Sequence, residues 1–423
     1  DVTNNMSIAV DVYLHVGRLY VKPTGSDSND GTSWETAKAT IGGAMTAAGP
    51  GQEIWVAAGT YSSDFVVKSG VALYGGFAGV GDTRDRQAYP TVLTSSQYDS
   101  GVTIQYGASS ATRLDGFTIQ SGSAGIVCQP NGSATICNNI LKGIGGYGIY
   151  CNSATADCFM VGNTITATFT GIYLNGGSPT IANNILCANS SDDGSIYCYR
   201  SAAQILNNTI AGNNGGILID ECAPTLVNNI VALNSWGIKK LRPYYTPVLN
   251  NNCVYGNSDR DYQGISPGTG DFSDEDPIFA NAACGNFHIQ PTSPCRNRGD
   301  GSVVSVNWPD IDGQERVEPV GGVVDIGADE SYGEIWPSGS AIVRVSYTGD
   351  DANDGSSWAL AKRTVQAGID AVAALGGGEV WVEGATEAER ALNPDAGKYN
   401  ERIVLRPYVF LYGGFDNDDL VRE

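Results

Sequence analysis

A short phrase centred on two asparagines recurs along the middle of the chain. It reads Cys-Asn-Asn-Ile from residue 137, Ala-Asn-Asn-Ile from residue 182 and Val-Asn-Asn-Ile from residue 227, with looser versions elsewhere. The second asparagine of the phrase falls at Asn139, Asn163, Asn184, Asn208, Asn229 and Asn252, so the steps are 24, 21, 24, 21 and 23 residues. Repetition at a nearly fixed period of this length indicates a solenoid.

A second phrase, in which glycine or serine precedes isoleucine, keeps step with the first. Each period therefore holds two short runs of alternating apolar and polar residues, separated by turn-forming residues, and leaves no room for a helix. This pattern predicts a β-helix, in which each strand pairs in parallel with its copy one coil along. The isoleucines of the second phrase are predicted to point inward: Ile126, Ile149, Ile172, Ile196, Ile217 and Ile238.

The recurring asparagine has a structural interpretation. Asparagine tolerates the left-handed backbone region, and its amide can hydrogen-bond to the same residue one coil along. We therefore expect the second asparagines of the phrase to form a ladder inside the solenoid rather than a catalytic site.

The chain resembles a known group of proteins in these repeats and at the two ends of its main module. The asparagine phrases are similar to the repeats of right-handed parallel β-helix proteins of the pectate-lyase-like superfamily. Six further segments resemble the start and end signatures of large secreted bacterial β-helix surface proteins: 26–34, 53–61, 73–77, 286–290, 293–295 and 325–330. The resemblance implies an all-β, right-handed parallel β-helix with short capping helices and an extracellular or cell-surface location. It implies little about function, because most such proteins have no known activity.

A second layer of repetition divides the chain. Residues 348–358 repeat the pattern of residues 24–34, and residues 411–415 copy residues 73–77. We therefore predict an N-terminal strand over residues 1–18, a β-helix module over 19–332, a linker over 333–340 and a partial second module over 341–423. Each module opens with an alanine-rich segment, Glu35 to Ala48 and Ala359 to Leu375, predicted as a helix that caps the solenoid.

Composition and charge exclude several classes of partner. The formal net charge is −21, and no cluster of lysine and arginine is present that could neutralise phosphates, so nucleic acid is not expected as a partner. No apolar run has the length of a membrane span. The first residue is aspartate rather than methionine, which favours a processed, exported chain.

Ten cysteines would be unusual in a cytosolic protein. Cys128, Cys151 and Cys198 share one inward column and are expected to behave as small apolar core residues. A bridge between Cys128 and Cys151, one coil apart, would be strained. Cys284 and Cys295 flank a short hairpin-like segment and are the favoured disulfide pair.

An acidic turn that could hold Ca²⁺ appears once in each module. Its oxygen-bearing residues are Asp27, Asn29 and Asp30 in the first copy and Asp351, Asn353 and Asp354 in the second. Such a density of oxygen ligands around a glycine suits calcium, but the glutamate that closes an EF-hand loop is missing. The alternative is a set of turns in which the side chains hydrogen-bond to their own backbone.

The best candidate ligand-binding surface is a column of tyrosines. Alternation places Tyr150, Tyr173 and Tyr197 on the outside of successive coils, with Tyr199 nearby and with Asp220 and Glu221 continuing the same face. Stacked rings about 5 Å apart could bind sugars, or could simply pack on one another. No phrase in the chain matches a lyase or hydrolase motif, and the two histidines, His15 and His288, are far apart.

Two functions from different classes follow from these features. The first is a noncatalytic extracellular structural protein that assembles or adheres, and the second is a carbohydrate-binding or polysaccharide-degrading β-helix. For assembly, an N-terminal strand with Ile8, Val10, Val12, Leu14 and Val16 on one face could complete the second module of another copy. That contact would be head-to-tail and would generate filaments.

Overall fold

The computed structural model describes residues 17–95, 100–152, 157–305, 308–316, 323–333, 341–385, 397–406 and 409–415. Most of the first module winds into coils, and successive strands fall in turn into three parallel sheets, here called A, B and C. Sheet A contains Arg18–Val21, Glu53–Ala57, Ala72–Phe77, Arg113–Asp115, Thr135–Cys137, Phe159–Val161, Thr180–Ala182, Gln204–Leu206, Thr225–Val227 and Val248–Asn250. Sheet B contains Gly59–Ser62, Thr91–Thr94, Thr118–Gln120, Ile140–Lys142, Thr164–Thr166, Ile185–Cys187, Thr209–Ala211, Ile230–Ala232 and Cys253–Tyr255. Sheet C contains Val66–Val67, Ser100–Ile104, Ala124–Cys128, Tyr147–Asn152, Thr170–Asn175, Ile196–Tyr199, Ile217–Asp220, Trp236–Lys240 and Arg260–Gln263.

The parallel β-helix predicted from the repeats is confirmed. Each coil contains three strands, whereas the sequence pattern predicted two. The asparagine pair bends the chain in the middle of one run, so that Thr180–Ala182 joins sheet A and Ile185–Cys187 joins sheet B. The interior is a continuous column of aliphatic side chains, and the six isoleucines predicted to point inward are all fully buried. Because a slip of one residue would turn every side chain to the other face, this column fixes the register.

The corner between sheets A and B contains the expected ladder. The backbone N–H and the side-chain amide of Asn184 both donate to Oδ1 of Asn208, at 3.0 and 2.9 Å, and Asn163 makes the same two bonds to Asn184. The pattern runs from Asn139 to Asn252, whose backbone and side-chain N–H groups both donate to Oδ1 of Asp271. The carboxylate can end the ladder because it accepts hydrogen bonds and has no N–H of its own to satisfy.

A second ladder follows sheet B and was not predicted. Asn189, Asn213 and Asn234 are buried and hydrogen-bond in the same way, and the ladder ends at Asp261 beyond Asn257. Each member lies five residues after a member of the first ladder, which is a signal present in the sequence. The residue before each member has a positive φ, for example 53° at Ala188 and 58° at Leu233, so the chain turns the corner through the left-handed region.

The two alanine-rich segments form helices shorter than predicted, Ile41–Ala47 and Val365–Ala374. Both start late because a threonine takes the N-cap position, where Thr40 accepts a hydrogen bond from the N–H of Gly43 and Thr364 accepts one from Ala367. Ile41 and Met45 pack into the main core beside Leu19 and Val21, as expected for a cap over the first coil. Neither of these α-helices is long and apolar enough to cross a membrane.

The described residues from 275 to 333, here called the flap, return along the outside of the coils. The flap contains an antiparallel hairpin of Phe279–Asn281 and Asn286–Ile289, with the short 3₁₀ helices Ala282–Cys284 and Gly301–Val303. Its apolar side chains cover the outer faces of sheets A and B in the later coils. Val303 and Trp308 pack on Ala182, Leu206 and Val227 of sheet A, whereas Phe287 and Ala328 pack with Ile185 and Ala211 of sheet B.

In four of the asparagine pairs the first asparagine attaches the flap, whereas Asn138 of the first pair donates to Asp115 instead. Asn183, Asn207, Asn228 and Asn251 have φ between 51° and 58°, and their side-chain amides donate to backbone oxygens of Pro309, Asp325, Asp300 and Arg298, at 2.9 to 3.3 Å. The two asparagines therefore differ in role. The first makes the turn and binds the flap, and the second belongs to the internal ladder.

The second predicted module has a small core of its own. A three-stranded parallel sheet contains Ala341–Val345, Gly378–Glu383 and Val409–Phe415. The 3₁₀ helix Trp358–Leu360 and the helix Val365–Ala374 lie between its first and second strands along the chain. Val343, Val380 and Ile369 pack together in this core. The strand proposed for head-to-tail assembly lies outside the described residues, as does most of the predicted linker, so the assembly and the domain boundaries stay predictions.

Adjacent asparagines in the second ladder allow a matched test of its contribution. Asn213 is buried, and its amide donates to Asn234 and to the backbone oxygen of Leu186, whereas the amide of Asn214 makes its bonds at the surface. We expect Asn213→Ala to lower the free energy of unfolding by about 1–3 kcal/mol, because it leaves buried polar groups without partners. Asn214→Ala should cost much less. Denaturant unfolding of both variants measures the difference, and equal costs would contradict a stabilising role for the ladder.

Candidate functional site

The tyrosines predicted to share a face do lie together on the outside of sheet C. The face consists of Tyr147, Tyr150, Tyr173, Tyr197 and Tyr199, here called the tyrosine face, and every one of these side chains is partly exposed. Strand alternation produces it, since Ile149 and Cys151 point into the core on either side of Tyr150. The ring centroids of Tyr150 and Tyr173 are 5.5 Å apart, and those of Tyr173 and Tyr197 are 5.0 Å apart.

Charged side chains border the tyrosine face at its later coils. The hydroxyl of Tyr197 donates to Oδ2 of Asp220 at 3.4 Å, and Arg242 forms an ion pair with Oδ1 of the same carboxylate at 3.2 Å. Burial, followed by the charge of Asp220, raises the pKa of Tyr197 to about 12. Tyr197 therefore remains a hydroxyl, able to donate or accept hydrogen bonds, at physiological pH.

The other predicted acidic residue of this face, Glu221, is also ion-paired. Its Oε2 lies 2.7 Å from Nε of Arg200, whose guanidinium is 4.8 Å from the ring centroid of Tyr199. The hydrogen bond and the negative charge of Glu221 raise the pKa of Arg200. Lys240, on the neighbouring coil, donates to the backbone oxygen of Tyr245 at 3.1 Å. A base for proton abstraction must be deprotonated, and the contact with Glu221 holds Arg200 in its charged form.

The flap accounts for the difference between the flanks of the solenoid. It lies on sheets A and B, where outward positions such as Leu206, Val227 and Ile185 are apolar and buried. The corresponding outward positions of sheet C carry Tyr150, Tyr173 and Tyr197. The tyrosine face therefore presents partly exposed aromatic and charged groups together on a flank that the flap does not cover.

The first acidic turn is filled by a lysine. The carboxylate of Asp27 accepts hydrogen bonds from the backbone N–H groups of Ala39 and Thr40 and from the Thr40 hydroxyl, and the amide of Asn29 donates to Ala37. The ammonium of Lys38 donates to the backbone oxygens of Asp27 and Asn29, at 3.1 and 2.6 Å. The third predicted ligand, Asp30, accepts hydrogen bonds from Thr32 and Thr36.

The second acidic turn repeats this arrangement. Asp351 accepts hydrogen bonds from Arg363 and Thr364, and Asp354 accepts one from Ser356. Lys362 donates to the backbone oxygens of Asp351 and Asn353, at 3.1 and 2.6 Å. In both copies an ammonium group lies among the oxygens that a calcium ion would need. The contacts favour the alternative of self-bonded turns, and calcium binding stays a prediction.

The flap contains a cluster of buried ionisable groups that the sequence did not reveal as a unit. Nε2 of His288 lies 3.0 Å from Asp312, and its Nδ1 lies 2.5 Å from Oδ1 of Asn286. Burial lowers the pKa of His288, but Asp312 and the surrounding carboxylates raise it by more, so that it lies above its ordinary value. Burial raises the pKa of Asp329 to about 7, and burial with the neighbouring charge of Asp325 raises that of Glu330 to about 8.

Arg316 lies beside these acids and is completely buried. Its Nη2 donates to the backbone oxygens of Asp325 and Gly327 and lies 3.6 Å from Oε2 of Glu330. The end signature noted in the sequence, residues 325–330, thus closes the flap on itself and against the solenoid. The acidic residues of this segment therefore have hydrogen-bond partners within the flap.

The disulfide expected between Cys284 and Cys295 is not seen, and the side chain of Cys284 lies outside the described part of the structure. Cys295 is a buried free thiol that packs beside Cys253 rather than pairing across the hairpin. Cys128 and Cys151 are also free thiols. The nine cysteines whose side chains are described are all unbridged.

The fold defines the class of protein: the chain is a right-handed parallel β-helix protein, and a family model described as "Right handed beta helix region" matches residues 100–252. Among solved structures it is similar to the pectate lyase Pel9A, with 18% identity, a TM-score of 0.39, and coverage of 74% of this chain and 96% of that one. It is also similar to a mutant of the PL6 family alginate lyase AlyGC, with 11% identity, a TM-score of 0.27, and coverage of 87% and 64% respectively. A search of the curated proteins gives no match.

We predict that the flap loosens as the pH rises. The pKa values of Asp329 and Glu330 are raised in the folded chain, so their contribution to stability is complete below about pH 4, near their ordinary pKa values, and is lost as the pH rises through about 7 and 8. Hydrogen-exchange protection factors of flap amides should therefore fall between pH 5 and pH 9, more than those of the coils. The double change Asp329→Asn and Glu330→Gln should flatten this dependence. Glu275→Gln, at an exposed ion pair of the same flap, is the control, and an unchanged pH dependence in the double variant would refute the assignment.

We also predict that Lys38 stabilises the first acidic turn. Lys38→Met keeps the apolar stem but leaves two backbone oxygens without their ammonium partner, and we expect it to lower the free energy of unfolding by about 1–3 kcal/mol. Lys142→Met, at an exposed position of sheet B, should have little effect. Thermal unfolding with calcium or with a chelator gives the second measurement. A large loss of stability in the parent protein on chelation would show that calcium, not lysine, holds the turn.

Proposed function

We propose that this protein is a noncatalytic extracellular β-helix that adheres to glycans through the tyrosine face. The observation that supports this most directly is the column of partly exposed tyrosines on a flank that the flap does not cover. A tyrosine ring offers an apolar surface for the C–H faces of a sugar, and its hydroxyl can hydrogen-bond to the sugar's hydroxyls.

The geometry of the face suits an extended chain rather than a single small sugar. Tyr150, Tyr173 and Tyr197 come from consecutive coils, with neighbouring ring centroids 5.0 to 5.5 Å apart along the solenoid axis. A linear glycan lying along that axis would meet a similar ring at every coil. Several weak contacts along one chain add to a useful affinity when they are made together.

Charge favours neutral or basic glycans over acidic ones. The net charge of −21 repels polyanions. The cationic groups bordering the face, Arg200 and Arg242, are already paired with Glu221 and Asp220. A polyuronate would therefore meet few uncompensated positive charges on this part of the protein.

The same ion pairs support binding without cleavage. Polysaccharide cleavage by a lyase requires a basic side chain free to take a proton, and cleavage by a hydrolase commonly requires two carboxyl groups placed on either side of the scissile bond. On this face Asp220 and Glu221 engage different arginines. Degradation of a polysaccharide remains the alternative function, and the binding experiment below includes a direct test for it.

Glycan binding can be tested with a pair of tyrosine variants. Tyr173 lies in the centre of the face, whereas Tyr106 is 64% exposed, follows the strand Ser100–Ile104 and accepts a hydrogen bond from Asn131. We expect Tyr173→Ala to weaken binding to neutral or amino-sugar oligosaccharides at least tenfold, and Tyr106→Ala to leave it unchanged, as measured by calorimetry. A loss of about 1.4 kcal/mol corresponds to tenfold.

Two outcomes would contradict the proposal. Equal affinities of the Tyr173→Ala and parent proteins would exclude the tyrosine face as the binding site. Release of unsaturated products from an acidic polysaccharide, followed by ultraviolet absorbance with and without calcium, would show β-elimination and replace adhesion with catalysis.

A further inference from the structure

Three buried cysteines, Cys128, Cys151 and Cys158, lie together in the solenoid core and are here called the cysteine triad. Cys128 and Cys151 occupy the same position on adjacent strands of sheet C and lie directly opposite each other. Cys158 reaches the same point from the corner at which the chain enters sheet A. The three side chains are fully buried, and their sulfur atoms all lie within 4.8 Å of one another.

Repetition alone does not explain this group. The inward column that contains Cys128 and Cys151 continues as Ile104 on the coil before and Leu174 on the coil after. Stacking accounts for the pair, but the third sulfur comes from a different element. The side chains of Ile104 and Leu174 therefore lie on either side of the thiols along this column.

The three thiols lack strong partners apart from one another. The thiol of Cys158 donates to the backbone oxygen of Gly132 at 3.3 Å, and the sulfurs of Cys128 and Cys151 are its neighbours. Thiols are weak hydrogen-bond donors and acceptors, so the cluster gains little as a hydrogen-bonded group. Thiolates, in contrast, are strong ligands for soft metal ions.

We propose that Cys128, Cys151 and Cys158 form a binding site for a soft cation, Cu(I), in the core of the β-helix. Three sulfurs that each lie about 2.3 Å from one metal ion are about 4 Å from one another. The sulfurs of the three cysteines lie within 4.8 Å of one another, so they are close enough to bind a single ion. Structural zinc sites take four ligands, whereas three sulfurs surrounded by aliphatic side chains provide a closed three-coordinate site. Binding releases a proton from each thiol that becomes a thiolate.

The proposed charge balance also favours a monovalent ion. A full set of three thiolates would leave uncompensated negative charge in an apolar core, which is costly. One monovalent ion with one thiolate and two neutral thiols is electrically neutral, and each further proton lost would add one negative charge. The site should therefore have a higher affinity for Cu(I) than for a strongly hydrated divalent ion such as Mg²⁺.

The test is anaerobic titration of the full, reduced protein with Cu(I) against a chromophoric Cu(I) chelator. Because the site is closed, the protein is titrated both as folded and after refolding from denaturant with the metal present. We expect one Cu(I) per chain held by the triad, a thiolate-to-copper charge-transfer band, and a higher melting temperature. Cys158→Ser, which keeps a hydrogen-bond donor for Gly132, should weaken binding at least tenfold and remove the rise in melting temperature.

Cys198→Ala is the matched control, because Cys198 lies in the same inward column, is fully buried and has Cys222 as its cysteine neighbour. It should bind Cu(I) like the parent, and Cys151→Ala should behave like Cys158→Ser. Circular dichroism of each variant without metal establishes that the coils still fold, and the change at Cys151 provides a second test if Cys158→Ser does not fold.

Three outcomes would overturn the site. The first is absence of Cu(I) binding by both folded and refolded protein. The second is retention of binding in both triad variants with loss in Cys198→Ala, which would place the metal elsewhere. The third is a disulfide within the triad of the protein as isolated, detected by mass spectrometry of unreduced peptides, because bridged sulfurs cannot serve as thiolate ligands.

Discussion

The stacked amide bonds of the asparagine ladders are the interaction on which the rest of the structure depends. In each coil one side-chain oxygen accepts both the backbone N–H and the side-chain amide of the preceding coil, as Asn208 does for Asn184. A buried amide that lost its partners would be costly, so each ladder residue must meet its copy. Together with the aliphatic column, this requirement fixes the register of the sheets, and the tyrosine face and the stacked pair of Cys128 and Cys151 are both consequences of that register.

The corner geometry then determines which flank is covered. The ladder residue needs a bend immediately before it, and asparagine makes that bend in the left-handed conformation at Asn183, Asn207 and Asn228. The bend turns the first amide outward, where it binds the flap, for example from Asn207 to the backbone of Asp325. The paired asparagines therefore connect the interior of the solenoid with its outer covering.

The sequence was sufficient for features that depend on neighbouring coils. The repeat period identified the first ladder, and alternation identified both the inward isoleucines and the outward tyrosines, because each of these depends on spacing of about one coil. Features formed by distant segments were missed. The flap meets the coils across 118 residues between Asn207 and Asp325, and nothing in local spacing identifies that pair. A signal was nevertheless present, since Ala182, Leu206 and Val227 place apolar residues on the outer face of sheet A, where an exposed strand would be polar.

The acidic turns show that residue type alone does not identify what a turn binds. Asp27, Asn29 and Asp30 supply the oxygens expected of a calcium site, but the same oxygens also suit an ammonium group and backbone N–H donors. Lys38 lies nine residues after Asn29, and only the pairing of Val21 with Lys38 brings its ammonium group into the turn. The second module repeats the arrangement through Val345 and Lys362. A lysine at this position in both turns is therefore as much a part of the motif as the acids, because it provides the positive charge that a metal ion would otherwise supply.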